Sequence, residues 1–529
     1  MIGVPPLQSD RTPFSPPAAW PILPVAVAAH FSLVALRAAD DPALAARPWL
    51  SALSIALACA AAVAIARSRG LAAVEAGAES RRAGRRALAA IAAALVASRL
   101  AWVALVPTAP VSDFLGYQRI AEMVAAGEPI AMWWPIGAAV ASWGYPVVLG
   151  LVLRTLGLTG APILALELCN VALGVAALLL VHRVAWRVAG SGAAALVAAA
   201  IFALWPGQLY LTSVLATEHL AVPLVLTAVL LLTELLAPAS APRALDGRTA
   251  VRAALCGLAA AACMATRSAL LFLPVALVLA LWRWRSSATH ALVLAAIVVA
   301  TAAGGTLAWR ASLRAAYGAA PLPALWWTVL TGTNLDSSGS FSSDDRDRFF
   351  GHRSIAEADA DARAEIASRL RSQPAALARL AWQKTIQLWA ADDYAWFWST
   401  ERFRGPAPAI DRAALAWIAQ VAHLAVLLLA IGGCLAVARG VWVGRRAPAP
   451  DVALLVIALG TLTHAVAESQ ARYHFVLEPF AIALAALGAA GVRTRAVDMA
   501  PTATSPDLRT AEAARACAPA PSTEEAEKR

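Results

Sequence analysis

The sequence predicts an all-α polytopic integral membrane protein of about 12 transmembrane helices, with interfacial helices in two external loops. Three observations predict it. First, 60% of the 529 residues are hydrophobic and only 14% are charged, with a mean hydropathy of +0.66. A soluble domain carries roughly 25% charge. Second, apolar runs near the length needed to cross about 30 Å of hydrocarbon recur from end to end. Third, the charge between these runs is mostly arginine in short loops, with lysine only at Lys384 and Lys528. That pattern sets orientation in a membrane, so the net charge of +10 is not read as nucleic-acid affinity.

The spans read in order at 18–36, 48–66, 87–106, 162–182, 193–213, 219–237, 253–266, 268–282, 289–309, 413–438, 451–468 and 474–491. Residues 1–17 carry one arginine and several prolines, a poor signal-peptide n-region, so the first helix is expected to be retained. The loop RSRGLAAVEAGAESRRAGRR (67–86) holds six arginines against two glutamates and is placed in the cytoplasm. The next span then runs outward, and Asp113 emerges on the external face. The later basic loops, at Arg183 and Arg187, Arg243 to Arg252, Arg283 and Arg285, and Arg439 to Arg446, all fall inside on one condition. GYPVVLGLVLRTLG (144–157) must lie in the outer interface rather than cross, which its shortness and Arg154 favour. The two short spans 253–266 and 268–282 form a hairpin turning at Thr266 and Arg267, as is tolerated where helices line a protein cavity.

Five regions follow. Residues 1–86 hold two N-terminal helices and the basic loop; 87–309 form a transmembrane core with its first external loop at 107–161. Residues 310–412 are a second external region, 413–491 the C-terminal spans, and 492–529 a polar tail expected to be disordered and cytoplasmic. In the second external region, a polar loop leads to an amphipathic helix ending near Arg371, and Pro374 opens a further helix to Trp389 at the N1 position. The tryptophans Trp133, Trp134, Trp326, Trp327, Trp389, Trp396 and Trp398 read as an aromatic belt, with a sugar-stacking platform as the other use. The six cysteines have no metal-ligand spacing, so neither a disulfide framework nor a zinc site is expected of them.

Under this topology the unusual polar residues collect at the outer boundary. Asp113 opens the first external helix and shares its face with Tyr117, Ile120, Ala121 and Val124. Glu218 and His219 stand where one span ends and the next returns. Arg267 sits at the hairpin tip, and Glu468, Gln470, Arg472, Tyr473 and His474 fill the last external turn, with Glu478 close behind. Other uses stay open for each: helix N-capping for Asp113, an ordinary interfacial acid at Glu218, headgroup snorkelling by Arg267, and an anchor pair in Arg472 with Tyr473. Together they suit an external cavity in which a carboxylate takes a proton from a hydroxyl while arginines clamp a phosphate.

Six segments carry a resemblance: SDFLGYQRIAEMVAAGEP, SWGYPVVLGLVLRTLG, NVALGVAALLLVHRVAWRVAG, ALWPGQLYLTSVLATEHL, GLAAAACMATRSALLFLP and ESQARYHFVLEPFAIALAALG. In this order, from about residue 87 to 491, the chain resembles the polyprenyl-phosphate-sugar-dependent membrane glycosyltransferases of the GT-C superfamily. That superfamily includes protein O-mannosyltransferases and lipid A aminoarabinose transferases. The resemblance implies an inverting transferase with Asp113 as catalytic base and Glu218 organising the pocket. It also implies that Arg267 and Arg472, with Tyr473 nearby, contact the donor phosphate. The implied partners are a lipid-phosphate-linked sugar, an envelope glycan, lipid or protein acceptor, and membrane lipid. The implied location is the bacterial inner membrane, with the site facing the periplasm or exterior. The chain departs from many relatives in having Phe114 after the aspartate, and AMWWPIGAAVASWGYP offers no match for the lysine of aminoarabinose transferases. A divalent cation is left open as a cofactor. Readings of other classes are a flippase or transporter of lipid-linked sugars, and an O-antigen polymerase or ligase. No internal repeat and no midplane charges favour the transporter reading.

Overall fold

The structure, a computed structural model, describes residues 22–67, 78–130, 142–158, 160, 162–236, 246–285, 287–321, 325–442 and 447–491. The tail expected from 492 onward and the tryptophans Trp133 and Trp134 lie outside the described residues, as do residues 68–77 of the basic loop. Among the described residues the chain is helical throughout, with no strand beyond an isolated bridge between Thr108 and Phe403.

Among the described residues, nine helices are long and apolar enough to cross a membrane: Ile22–Ala39, Pro48–Arg67, Arg82–Leu105, Ile163–Ala189, Glu218–Leu236, Gly247–Thr266, Ala288–Tyr317, Arg412–Val441 and Pro448–Val466. Three shorter apolar helices, Gly192–Leu204, Ser268–Trp284 and Glu478–Ala490, occupy the remaining predicted spans. The fourth short one, Gly144–Thr155, is the segment read as not crossing. This is an all-α multi-pass membrane protein.

The sequence expectations miss at identifiable places. The 253–266 arm is not short: its helix begins at Gly247, because the Asp246 side chain accepts the Thr249 N–H at 2.8 Å and caps a turn that already carries Arg248 and Arg252. Hydropathy sees where a helix becomes apolar, not where it starts. The expected span 193–213 is broken instead of continuous. Pro206 removes a donor and holds Trp205 extended, so Gly192–Leu204 ends there and Pro206–Leu211 starts afresh. The hairpin turn does fall at Thr266 and Arg267, and Pro374 does stand at N1 of Pro374–Ala390. The polar loop before it is not structureless: it contains the helix Ser343–Phe350, capped by Ser342.

The Arg412–Trp442 helix bridges the first and last described helices. Ile22–Ala39 lies along Arg412–Trp442, which in turn packs on Glu478–Ala490. At that last crossing a Cβ placed on Gly433 would meet the Leu484 carbonyl at 2.0 Å, so only glycine permits the approach. A second close approach matters to the site. A Cβ on Gly144 would come within 2.7 Å of the Thr266 backbone, so the 144–155 helix starts against the hairpin tip that carries Arg267. Segments 107–109 and 402–404 pair through backbone bonds, Ala109 N–H to Arg402 C=O and Arg404 N–H to Pro107 C=O, both 2.8 Å. The two segments expected outside are thereby joined to each other.

Candidate active site

Four elements converge on one ion-pair cluster. Glu218 is the first residue of Glu218–Leu236, and only 2% of its side chain is exposed. Its Oε1 pairs closely with Arg267 Nη1 and lies 3.6 Å from Arg472 Nε, while its Oε2 accepts the Thr217 hydroxyl at 3.2 Å. Arg267 ends Gly247–Thr266, donates also to Thr217 Oγ1 at 3.3 Å, and lies over the Tyr473 ring at 4.5 Å. Arg472, in the 3-10 turn Ala471–Val476, donates to the Tyr394 hydroxyl at 2.7 Å. Its guanidinium stands 5.2 Å and 5.3 Å from the Tyr394 and Tyr473 rings. Burial opposes its charge, but Tyr394, Glu218, Tyr473 and Asp113 together hold its pKa well above the ordinary arginine value.

Asp113 approaches from the helix Ser112–Ala126. Its Oδ2 is 3.8 Å from Arg472 Nη1, an ion pair beyond hydrogen-bond reach, and its side chain is 59% exposed. It does not cap its helix: the N-cap is Val111, and Ser112 takes a left-handed φ of 51° just before it. The residues read onto its face, Tyr117, Ile120, Ala121 and Val124, are all buried, so the stripe anchors the helix while its first turn meets solvent. Tyr117 packs edge-on to Tyr145, with 6.4 Å between ring centroids. Burial, then the Asp113 charge, push its phenol pKa up.

The neighbours of this cluster hold the turn in place. Glu468 is buried and its carboxyl pKa is raised by desolvation; it bonds Tyr473 and Gln470. Tyr473 stacks on His464 at 4.5 Å. The fully buried Lys384 gives its ammonium to the carbonyls of Gly332 at 2.6 Å and Ala467 at 2.8 Å, tying the 325–332 helix to the end of Pro448–Val466. Burial lowers its pKa to about 8, with Glu468 acting the other way.

Of the residues singled out from sequence, Asp113, Glu218, Arg267, Arg472 and Tyr473 meet in this cluster, with Tyr117 beside them. His219 does not join the ion pairs: its Nε2 faces the carbonyls of Leu211 at 3.0 Å and Val214 at 3.2 Å. Arg267 is 7% exposed and paired within the protein, which rules out snorkelling. Tyr394 and Lys384 were not singled out. Lys384 had a signal, as one of two lysines in the chain; Tyr394 had none, since its role depends on a partner 78 positions away.

Among the described residues, the side chains that could hold a metal ion are His423, His474 and Glu478. They start from the residue after Tyr473 but surround a different point.

No family model and no curated protein matches the chain. Among solved structures it is similar to the archaeal oligosaccharyltransferase AglB from Archaeoglobus fulgidus, in complex with an inhibitory peptide and a dolichol-phosphate. The TM-score is 0.44 at 14% identity, covering 75% of this chain and 49% of that one, so the chain spans about half that protein's length. A likeness of this degree carries no argument about site or reaction.

Proposed function

We propose that the chain is a membrane glycosyltransferase moving a single sugar from a polyprenyl-phosphate donor to an envelope acceptor on the external face of a bacterial inner membrane. The observation that carries the reading is the asymmetry of the cluster. Buried Arg267 and partly buried Arg472 share one buried carboxylate, Glu218, while the second carboxylate, Asp113, is exposed and only loosely paired at 3.8 Å. An incoming phosphate competes for Arg472 with Asp113, not with Glu218. Guanidinium groups suit phosphate oxygens geometrically, and displacement frees the Asp113 carboxylate beside the reacting bond.

The reaction then balances as follows. The acceptor hydroxyl oxygen forms a bond to the anomeric carbon as its proton passes to Asp113. The bond from that carbon to the phosphate oxygen breaks, and its electron pair leaves with the lipid monophosphate between Arg267 and Arg472. Attack opposite the leaving group inverts the anomeric centre. Glu218 keeps the arginines spaced when no phosphate is bound, the Tyr473 ring backs both, Tyr117 packs behind the Asp113 turn, and His219 holds the turn before Glu218 through the Leu211 and Val214 carbonyls.

The test is intact-mass profiling of envelope glycolipids, polysaccharides and glycoproteins from a deletion strain, complemented with wild type or with Asp113→Asn. Loss of one sugar's mass, restored by wild type alone, is expected. Accumulation of a complete lipid-linked oligosaccharide would replace this reading with a flippase, polymerase or ligase.

A further inference from the structure

The 3-10 turn that supplies Arg472 and Tyr473 also buries a set of side chains that sugar transfer does not use. His474 from the turn, Glu478 from the start of Glu478–Ala490, His423 from Arg412–Trp442 and Asp392 from the connection after Pro374–Ala390 are each at most 1% exposed. His423 Nδ1 is 3.3 Å from Glu478 Oε1; His474 Nε2 is 3.7 Å from the same oxygen and 4.0 Å from Asp392 Oδ1.

The tautomers of both rings follow from their far sides. His423 Nε2 lies 2.6 Å from the Trp389 carbonyl, and His474 Nδ1 lies 2.9 Å from the Leu388 carbonyl. A carbonyl only accepts, so each of these nitrogens carries the proton. In the neutral rings the inward nitrogens, His423 Nδ1 and His474 Nε2, are then bare lone pairs. Both face carboxylate oxygens, so the pocket is lined by acceptors alone. His474 Nε2, Glu478 Oε2 and Asp392 Oδ1 have no hydrogen-bond donor at all. Acceptors buried together in this way repel unless a positive charge lies between them. Asp392 is itself oriented, its Oδ2 accepting from Trp205 Nε1 at 3.0 Å.

From this arrangement we propose that His423 Nδ1, His474 Nε2 and Glu478, with Asp392 as fourth ligand, hold a divalent transition-metal ion of the zinc class. Two imidazoles with carboxylates suit such an ion rather than calcium or magnesium, which prefer all-oxygen sets. The ligand atoms of the two histidines and Glu478 lie within 4.8 Å of one another. A tetrahedral ion at about 2.0–2.1 Å would draw them to about 3.3–3.4 Å, a spacing His423 and Glu478 already have. The outer N–H groups donated to backbone carbonyls are the support that ligating histidines ordinarily receive. With four protein ligands and no exposed side the ion would be structural. It would pin the 471–478 segment to the 412–442 helix and so set where Arg472 and Tyr473 stand.

The full-length chain, purified in detergent from zinc-supplemented cells and dialysed, is analysed for metal by mass spectrometry and melted with and without chelator and added zinc. The expected result is about one ion per chain, a melting midpoint lowered by chelator and restored by zinc. Glu478→Gln is the matched variant, since its amide N–H can satisfy His423 Nδ1; it should stay folded, lose the ion and melt without regard to zinc. Wild type with no metal above the buffer and no response to zinc overturns the proposal and leaves a proton shared between Glu478 and His423. Metal retained in full by Glu478→Gln overturns it as well. The wild-type measurement decides alone if the variant does not fold.

Discussion

Arg472 and His474 sit two residues apart in one 3-10 turn and face opposite kinds of surroundings. Around Arg472 both signs of charge are present, and the loosest member, Asp113, is more than half exposed. Around His474 there are acceptors only, and all are sealed from solvent. The difference separates a place that exchanges ligands from a place that holds one. Exchange requires a group whose departure costs little, and an exposed ion pair contributes only ~0–1 kcal/mol. Holding requires groups that cannot turn to water instead.

The largest expected effect breaks the comparison at its exposed end. Asp113→Asn should lower transfer by about 10²–10⁴-fold, as removal of a general base does, while the melting midpoint moves by no more than ~0.5 kcal/mol would cause. Sugar transfer by membranes and a melt of the same preparation check both halves. Glu218→Gln tests the buried end of the same cluster. It leaves Arg267 and Arg472 underpaired in the interior and should destabilise the fold by roughly 3–5 kcal/mol. Equal stability of the two carboxylate variants would mean that burial does not distinguish them.

Arg472→Lys sharpens the site further. It keeps the charge but loses the fork shared among Tyr394, Glu218 and Asp113, and transfer should fall about tenfold with little change in the melt. Substrate titration should place the loss in donor affinity.

The smallest effects concern Lys384, beneath the cluster. Lys384→Met leaves the Gly332 and Ala467 carbonyls without their donor and should cost about 1–3 kcal/mol. It should also remove a pH dependence. Burial lowers the folded-state pKa of Lys384 from 10.5 to about 8. Below that both folded and unfolded chains hold the proton. Between the two values only the unfolded chain does, so the wild-type melting midpoint should rise with pH across that window and level off above it. A midpoint that falls there, or rises equally in Lys384→Met, would count against the assignment.

Much of this was legible in the sequence because membrane helices must satisfy their own backbone and stay apolar over a fixed length. The hairpin at Arg267 was legible because arginines on both flanks demand an even number of crossings. Asp113, Glu218, Arg267 and Arg472 stood out because charge near spans is costly. What did not show was pairing. Nothing in the sequence says that Arg472 meets Tyr394, or that His423, deep in the 412–442 run, meets Glu478. The break at Pro206 and the early start at Gly247 were written locally, in a proline and in an Asp246 cap, yet lay outside a reading by apolar length.

In the proposed reaction the arginine pair receives the donor phosphate and Asp113 yields its place there. This exchange is tested most directly by the affinity of the purified chain for undecaprenyl monophosphate, the expected leaving group, in wild type, Asp113→Asn and Arg472→Gln. Asp113→Asn should bind at least as tightly as wild type and Arg472→Gln at least about tenfold more weakly, the loss of one charged hydrogen bond. Undiminished binding by a folded Arg472→Gln chain would contradict it.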